Sequence, residues 1–266
     1  MYLIDYHTHS HNSFDGYITV DKIASRAVER GIRELCVTDH YECSDLRTPM
    51  AYDFEKSEAE IHEAREKYGD KIKLLYGAEL GQMHFEPELC KLLCARTKLD
   101  FVIGSMHNLK NDLDLYFVEF NEENTKPLFE EYLSELYALA STADYDVLGH
   151  ITYPLRYIKR DGQWVDIKDY ADNIDEILKA VIERGRGIEV NTSGLSGQLG
   201  DTMPPYDVIK RYRELGGEII TVGSDAHKRV HVGAGIEEAM GMLIRAGFQY
   251  ITTFEQRKPS FVKIEE

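Results

Sequence analysis

The chain has 266 residues, of which 43% are hydrophobic and 29% are charged, and this is enough to bury the core of one large α/β domain or two small ones. Its formal net charge is −16, from 47 acidic and 31 basic residues. This balance argues against nucleic acid as a partner, because proteins bind phosphate backbones with clustered lysine and arginine. The sequence has no apolar run of about 18 residues, which excludes a transmembrane helix.

The first residues have none of the basic, apolar and cleavage-site features of a signal peptide. We therefore expect a cytoplasmic protein that binds neither membranes nor nucleic acid and is a monomer or a small homo-oligomer. The four cysteines, Cys36, Cys43, Cys90 and Cys94, form no Cys-x-x-Cys pair. We expect them to be reduced and structural, with Cys90 and Cys94 on one helix face.

Short apolar segments rich in β-formers alternate along the chain with segments of helical spacing. Strands are predicted at 2–7, 34–38, 73–80, 101–106, 145–150, 187–191 and 218–224. Helices are predicted at 20–30, 53–68, 86–97, 125–142, 170–183, 205–215 and 236–246. The tail from Tyr250 is either a last strand or a cover over one end of the sheet.

The repeated alternation of β and α segments implies a parallel sheet with right-handed crossovers. With about seven strands, a closed or nearly closed barrel is favoured over an open sheet. The sequence contains no linker, low-complexity tract or composition break. We therefore predict a single domain over residues 1–266.

A histidine or an acidic residue stands at the end of six of the seven predicted strands. These residues are His7 and His9, His40, Glu79, His107, His150, and Asp225 with His227. The C-terminal ends of the strands build the active site in parallel α/β barrels. Residues i and i+2 of a strand share a face, so His7 and His9 can bind one ion together. Imidazole and carboxylate ligands suit zinc, iron or manganese. The alternative is that these residues are only structural polar residues of the barrel, but too many buried charges would then lack partners.

Three further residues are candidates for contact with a substrate. Arg160 lies in a basic loop at 153–163 and is our choice for phosphate recognition, because an arginine fork matches phosphate oxygens. The alternative is a solvated loop residue. His231 follows the last strand-end residues and could donate to phosphate, or be a solvated loop histidine. Asn191 ends the sixth predicted strand and either lines the pocket or caps the next turn.

The strand-end residues stand in short motifs that occur in a fixed order. The motifs are His7-Thr8-His9-Ser10, Thr38-Asp39-His40, Gly77-Ala78-Glu79, Gly104-Ser105-Met106-His107, Gly149-His150 and Gly223-Ser224-Asp225-Ala226-His227. In these motifs the chain resembles the PHP (polymerase and histidinol phosphatase) superfamily over nearly its full length, and most closely its histidinol-phosphatase branch. The resemblance implies an α/β fold, a distorted (β/α)7 TIM-like barrel, with two or three divalent transition-metal ions.

The resemblance also implies a role for each ligand. The first metal is assigned to His7, His9, Glu79 and Asp225, the second to Glu79, His107 and His150, and the third to Asp15, His40 and His227. Asp15 stands where some relatives have histidine, which gives the third site a harder ligand. Glu79 and Asp225 are the expected catalytic residues, because Glu79 bridges two metals and Asp225 could orient the nucleophile or carry a proton.

The function implied is that of a metal-dependent phosphomonoester hydrolase with a small phosphorylated substrate, and for this branch the substrate is L-histidinol phosphate in histidine biosynthesis. One alternative is a PHP phosphoesterase acting on nucleotides or other small esters. Another is a non-catalytic metal-binding regulatory domain, against which the intact ligand set argues. Histidinol phosphate carries an ammonium group, so an acidic partner near the metals is expected. Glu42 and Asp45 are candidates, with solvated loop acids as the alternative.

Overall fold

The computed structural model describes residues 1–43, 54–96 and 98–265. The strands are β1 (Ile4–Asp5), β2 (Glu34–Val37), β3 (His40–Glu42), β4 (Lys73–Gly81), β5 (Phe101–Ser105), β6 (Asn108–Leu109), β7 (Leu113–Asp114), β8 (Val147–Leu148), β9 (Gly187–Asn191), β10 (Ile220–Gly223), β11 (Tyr250–Glu255) and β12 (Lys258–Lys263). The helices are α1 (Val20–Glu29), α2 (Phe54–Tyr68), α3 (Pro87–Arg96), α4 (Thr125–Thr142), α5 (Leu155–Arg160), α6 (Ala171–Glu183), α7 (Tyr206–Glu214) and α8 (Ile236–Ala246).

The main sheet is a nearly closed parallel barrel. Its strands follow the order β1-β2-β4-β5-β8-β9-β10, and β3 pairs with the C-terminal part of β4. The two end strands are joined by backbone hydrogen bonds, since the N–H of Tyr6 donates to the carbonyl of Val222 at 3.0 Å. The N–H of Asp225 donates to the carbonyl of His7 at 2.7 Å. The predicted distorted (β/α)7 TIM-like barrel is confirmed.

The helices cover the outside of this barrel with their apolar faces. In α1, the buried residues Val20, Ile23, Ala24 and Ala27 follow the spacing of one helix face. Thr19 begins this helix, because its side chain accepts a hydrogen bond from the N–H of Lys22. Within the described part of the chain, none of the helices combines the length and the apolar character needed to cross a bilayer.

The C-terminal segment is an antiparallel hairpin of β11 and β12. Phe254 packs against Tyr6 and Phe101, with ring centroids 6.4 and 4.9 Å away. The guanidinium of Arg257 contacts the carboxylate of Asp146, just before β8, at 3.1 Å. The hairpin therefore covers the N-terminal end of the barrel, and the opposite end, where the strands finish, is left for the functional residues.

The cysteines differ from the sequence prediction at one pair. Cys43 and Cys90 form a disulfide between the segment after β3 and helix α3, so the prediction that all four are reduced is wrong for these two. They are 47 residues apart in sequence, but their Cα atoms lie only 6.6 Å apart, a distance that a disulfide can span. Sequence spacing does not reveal this proximity, which the fold creates. Cys36 and Cys94 are free.

Candidate metal centre

The structure gathers all the predicted metal ligands at the C-terminal end of the barrel, each buried or half-buried. They are His7 and His9 after β1, Asp15 in the following loop, His40 at the start of β3, Glu79 in β4, His107 after β5, His150 after β8, and Asp225 and His227 after β10. The parallel sheet places these strand ends side by side, which brings together residues far apart in sequence. Asp225 has a φ of 53°, a left-handed conformation that aspartate tolerates better than most residues.

Glu79 is fully buried at the centre of this cluster. Its Oε2 faces three imidazole nitrogens, those of His40 at 2.9 Å, His7 at 3.0 Å and His9 at 3.5 Å. Its Oε1 faces two others, those of His150 at 2.9 Å and His107 at 3.2 Å. The hydroxyl of Ser105 donates to the same Oε1 at 2.6 Å and holds the carboxylate in place. A carboxylate whose two oxygens face different histidine groups has the arrangement that a bridging ligand needs.

The donor atoms fall into groups that resemble the three predicted sites. Within each group, donor atoms lie within 4.8 Å of one another: His7, His9 and Glu79; Glu79, His107 and His150; and His9, Asp15, His40 and His227. Asp225 adjoins the first group, since its Oδ1 is 3.3 Å from Nε2 of His9. Among the described residues, the buried atoms His9 Nε2 and Asp15 Oδ1 have no hydrogen-bond partner. An imidazole nitrogen and a carboxylate oxygen that are buried without a hydrogen-bond partner are suitable ligand atoms for a divalent transition-metal ion.

Opposite charges stabilise the cluster electrostatically. Burial alone would lower the pKa of His7, but the carboxylates of Glu189, Glu79 and Asp225 raise it well above its ordinary value. Burial likewise opposes the shift at His40, whose pKa the carboxylates of Glu79 and Asp15 raise to about 9. The carboxylates that raise these pKa values favour positive charge at this position, which a bound metal ion would supply in place of the ring protons.

His9 behaves differently from the other histidines of the cluster. Burial lowers its pKa to about 3, and the nearby imidazoles of His40 and His227 act in the same direction. His9 is therefore neutral over the physiological pH range, which is the form that binds metal.

Sequence reasoning missed Glu189, which lies in β9 and is 1% exposed. Its Oε1 is 2.6 Å from Nδ1 of His7, and its Oε2 accepts from the N–H of His150 at 3.0 Å. Only the last residue of this strand, Asn191, was considered. The signal that could have found Glu189 is a lone charge in an apolar strand, two residues before Asn191 and therefore on the same face.

Glu42 and Asp45 were predicted as candidates for binding an ammonium group. Glu42 is buried, and its Oε1 lies 2.8 Å from Nδ1 of His107. It therefore contacts a predicted metal ligand directly, which sequence reasoning did not anticipate. With His40 and His107 it also forms a fourth group of closely spaced donor atoms. Asp45 lies outside the described residues.

The structure places two arginines of α5 in different surroundings. The guanidinium of Arg160 donates to the carbonyls of Tyr116 and Val118 and pairs with Asp161 at 2.7 Å. Arg156, one helical turn nearer the strand end, has its Nη1 3.8 Å from Oδ2 of Asp225. Arg156 therefore borders the metal cluster, while the donors of Arg160 are engaged elsewhere. The phosphate role of Arg160 stays a prediction.

The other two substrate candidates also have defined positions. His231 ends a short 3-10 helix, Arg229–His231, and is exposed. Asn191 is buried, and its Oδ1 accepts from the N–H of Ser193 at 3.0 Å, so it caps the next turn as the alternative predicted. Its Nδ2 donates to Oε2 of Glu189 at 3.2 Å. The substrate-binding roles of His231 and Asn191 stay predictions.

Comparison with known families identifies the kind of protein to which this site belongs. Residues 5–193 match the PHP domain. The chain belongs to the PHP family. The family resemblance predicted from the strand-end motifs is thus confirmed, and the barrel continues beyond the matched region to include Asp225 and His227.

The chain is also similar to individual PHP relatives over most of its length. It is 31% identical to a probable histidinol-phosphatase of Thermotoga maritima over 256 residues, which cover 94% of each chain. It is 28% identical to a histidinol-phosphatase of Lactococcus lactis, over 96% of this chain and 95% of the relative. A crystal structure of histidinol phosphate phosphatase from Lactococcus lactis, in complex with zinc, L-histidinol and phosphate, matches with a TM-score of 0.84 and 27% identity. It covers 97% of this chain and 98% of that one.

Proposed function

We propose that the protein is a metal-dependent phosphomonoester hydrolase that converts L-histidinol phosphate and water to L-histidinol and phosphate, a step of histidine biosynthesis. The observation that carries the hydrolase proposal is Glu79, whose two oxygens face separate groups of imidazoles at the open end of the barrel. The substrate is supported by the similar Lactococcus lactis structure, which contains zinc, L-histidinol and phosphate.

The assigned residues would hold two or three zinc, manganese or iron ions. Such ions supply Lewis acidity and an activated water. The first two groups share Glu79, and the third is built from His9, Asp15, His40 and His227. Asp15 has a pKa below its ordinary range: burial raises it, but nearby His40 and His227 outweigh that effect. It is therefore ionised at neutral pH and suited to bind a cation.

Asp225 is positioned to handle the proton of the attacking water. Burial raises its pKa, but His7, His9 and His227 lower it well below its ordinary value, so it is ionised. Its Oδ1 faces the imidazole of His9 at 3.3 Å, while its Oδ2 accepts from the hydroxyl of Ser193 at 3.2 Å. As the water oxygen bonds to phosphorus and the ester P–O bond breaks, the Asp225 carboxylate can accept the water proton and pass it to the leaving alkoxide oxygen, which becomes the hydroxyl of the alcohol product.

Arg156 is positioned to bind the phosphate group. Its guanidinium lies 5.8 and 5.5 Å from the ring centroids of Tyr153 and Tyr157 and is 3.8 Å from Asp225. Stacking on these rings limits the conformations of the side chain. A guanidinium fixed beside the metal cluster can bind two phosphate oxygens with parallel hydrogen bonds.

The substrate assignment is tested by comparing kcat/KM for histidinol phosphate, a nucleoside monophosphate and p-nitrophenyl phosphate, with zinc or manganese added. We expect a preference of at least about 100-fold for histidinol phosphate, because an enzyme specific for it would pair the ammonium group of the substrate with a carboxylate, and the other two esters lack that group. A flat profile, or a preference for the nucleotide, would reject histidinol phosphate in favour of another small ester. Absence of turnover with every ester and metal would reject the hydrolase proposal and favour the regulatory alternative.

We also propose that residues 1–266 form one domain, which is supported by the backbone hydrogen bonds between the first and last strands of the barrel. The cytoplasmic location and the monomeric or small homo-oligomeric state stay predictions from the sequence.

A further inference from the structure

We propose that Glu189 is a positioning residue that determines which ring nitrogen of His7 faces the metal centre. Glu189 is 1% exposed, and its Oε1 lies 2.6 Å from Nδ1 of His7. The other ring nitrogen, Nε2, faces Oε2 of Glu79 at 3.0 Å and Oδ1 of Asp225 at 3.7 Å. The inference rests on the metal-binding part of the proposed function, and it concerns a residue outside the predicted ligand set.

Both oxygens of Glu189 are surrounded by donors. Oε2 accepts from the backbone N–H of His150 at 3.0 Å and from Nδ2 of Asn191 at 3.2 Å. An ionised carboxylate only accepts hydrogen bonds, so the remaining partner, Nδ1 of His7, must donate to Oε1. A neutral His7 with its proton on Nδ1 leaves Nε2 with a free lone pair, directed at the site where a metal would bind.

The backbone packing supports a fixed arrangement of this pair. Gly223, the last residue of β10, lies against them so closely that a Cβ there would collide with both Cβ of His7 and Oε1 of Glu189. The side chains of His7 and Glu189 therefore occupy the space that any side chain larger than that of glycine at position 223 would need. Because Glu189 also holds the backbone of His150, one buried carboxylate connects ligands of the first and second donor groups.

Replacement of Glu189 by glutamine should move the ring proton of His7 from Nδ1 to Nε2. Glutamine has nearly the same size, but one oxygen becomes an NH2 group that can only donate. The N–H of His150 cannot accept, so the amide oxygen must face it, and the NH2 group is left opposite Nδ1 of His7. His7 must then accept at Nδ1 and carry its proton on Nε2, where the proton blocks metal binding.

Glu34→Gln is a matched control for Glu189→Gln. Glu34 is also a buried barrel carboxylate, 4% exposed, and both of its oxygens accept hydrogen bonds. Its donors are the hydroxyls of Tyr2 at 2.8 Å and Tyr6 at 2.7 Å, at the opposite end of the barrel. A hydroxyl can rotate to accept instead of donate, so an amide can be accommodated there.

The test is a zinc titration of the native protein and both variants in competition with a chelator. We expect Glu189→Gln to weaken zinc binding by roughly 10- to 100-fold, as for other residues that orient metal ligands, and Glu34→Gln to leave it nearly unchanged. Equal zinc affinity of the two folded variants would overturn the proposal. Since no substrate is present, a native protein that binds zinc but hydrolyses no phosphoester would refute the proposed function without affecting this comparison.

A second measurement keeps the proposal testable even if Glu189→Gln does not fold. Nitrogen-15 NMR of the histidine rings in the zinc-loaded native protein distinguishes a protonated ring nitrogen from one that binds metal. We expect His7 to carry its proton on Nδ1 and to bind zinc through Nε2. A proton on Nε2, with Nδ1 bound to zinc, would show that Glu189 does not fix the ring as proposed.

Discussion

Replacement of Glu79 by glutamine is expected to reduce phosphate release by at least about 1,000-fold, the upper range for the loss of one preorganised electrostatic contact. Both oxygens of Glu79 lie within 3.5 Å of imidazole nitrogens from separate donor groups. Glutamine keeps the shape but loses the negative charge and directs an NH2 group at one of those groups. Binding of two adjacent ions should then fail, while the fold is largely preserved.

Glu34→Gln serves as the control here too, because it makes the same chemical change in a buried carboxylate at the other end of the barrel. Turnover and bound zinc per chain should be measured for both variants, with circular dichroism to check folding. Near-native turnover of Glu79→Gln would show that this carboxylate is not a bridging ligand.

Arg156→Ala is expected to lower kcat/KM by about 1.5–3 kcal/mol, or roughly 10- to 150-fold, the range for a hydrogen bond between charged groups. The guanidinium of Arg156 adjoins the cluster, 3.8 Å from Asp225, and stacks on Tyr153 and Tyr157. Its removal should leave bound metal unchanged, because arginine is not a metal ligand.

Arg160→Ala is the matched comparison, since Arg160 lies one turn further along the same helix and its guanidinium contacts Asp161 and two backbone carbonyls. We expect a smaller loss of kcat/KM than for Arg156→Ala. If Arg160→Ala had the larger effect, the sequence-based choice of Arg160 for phosphate recognition would be correct.

The barrel and the gathering of the predicted ligands could be predicted from sequence because both depend on regular geometry. Alternating strands and helices imply a parallel sheet, and a parallel sheet brings strand ends such as those of His7 and His150 to one side. A charge inside a strand, by contrast, is not marked by a rule that looks only at strand ends, and in β9 that rule points to the last residue, Asn191. Glu189 was missed for this reason.

Features set by tertiary packing could not be predicted from the sequence. Arg156 and Arg160 occupy the same short helix, and only the position of that helix against the barrel determines which of them borders the metal cluster. The proximity of Cys43 to Cys90 likewise depends on how α3 packs beside β3. The hydrogen bond from the imidazole of His107 to Glu42 also depends on tertiary packing, because the two residues are far apart in sequence.

Phosphate ester hydrolysis by this protein is expected to depend on metal ions bound by the ligands around Glu79. The most direct test removes all metal with a chelator, returns zinc or manganese stepwise, and follows both bound metal and phosphate release from histidinol phosphate. We predict no turnover by the stripped protein and recovery of turnover as two or three ions bind per chain. Full turnover by protein that elemental analysis shows to be free of metal would mean that hydrolysis does not depend on these ions.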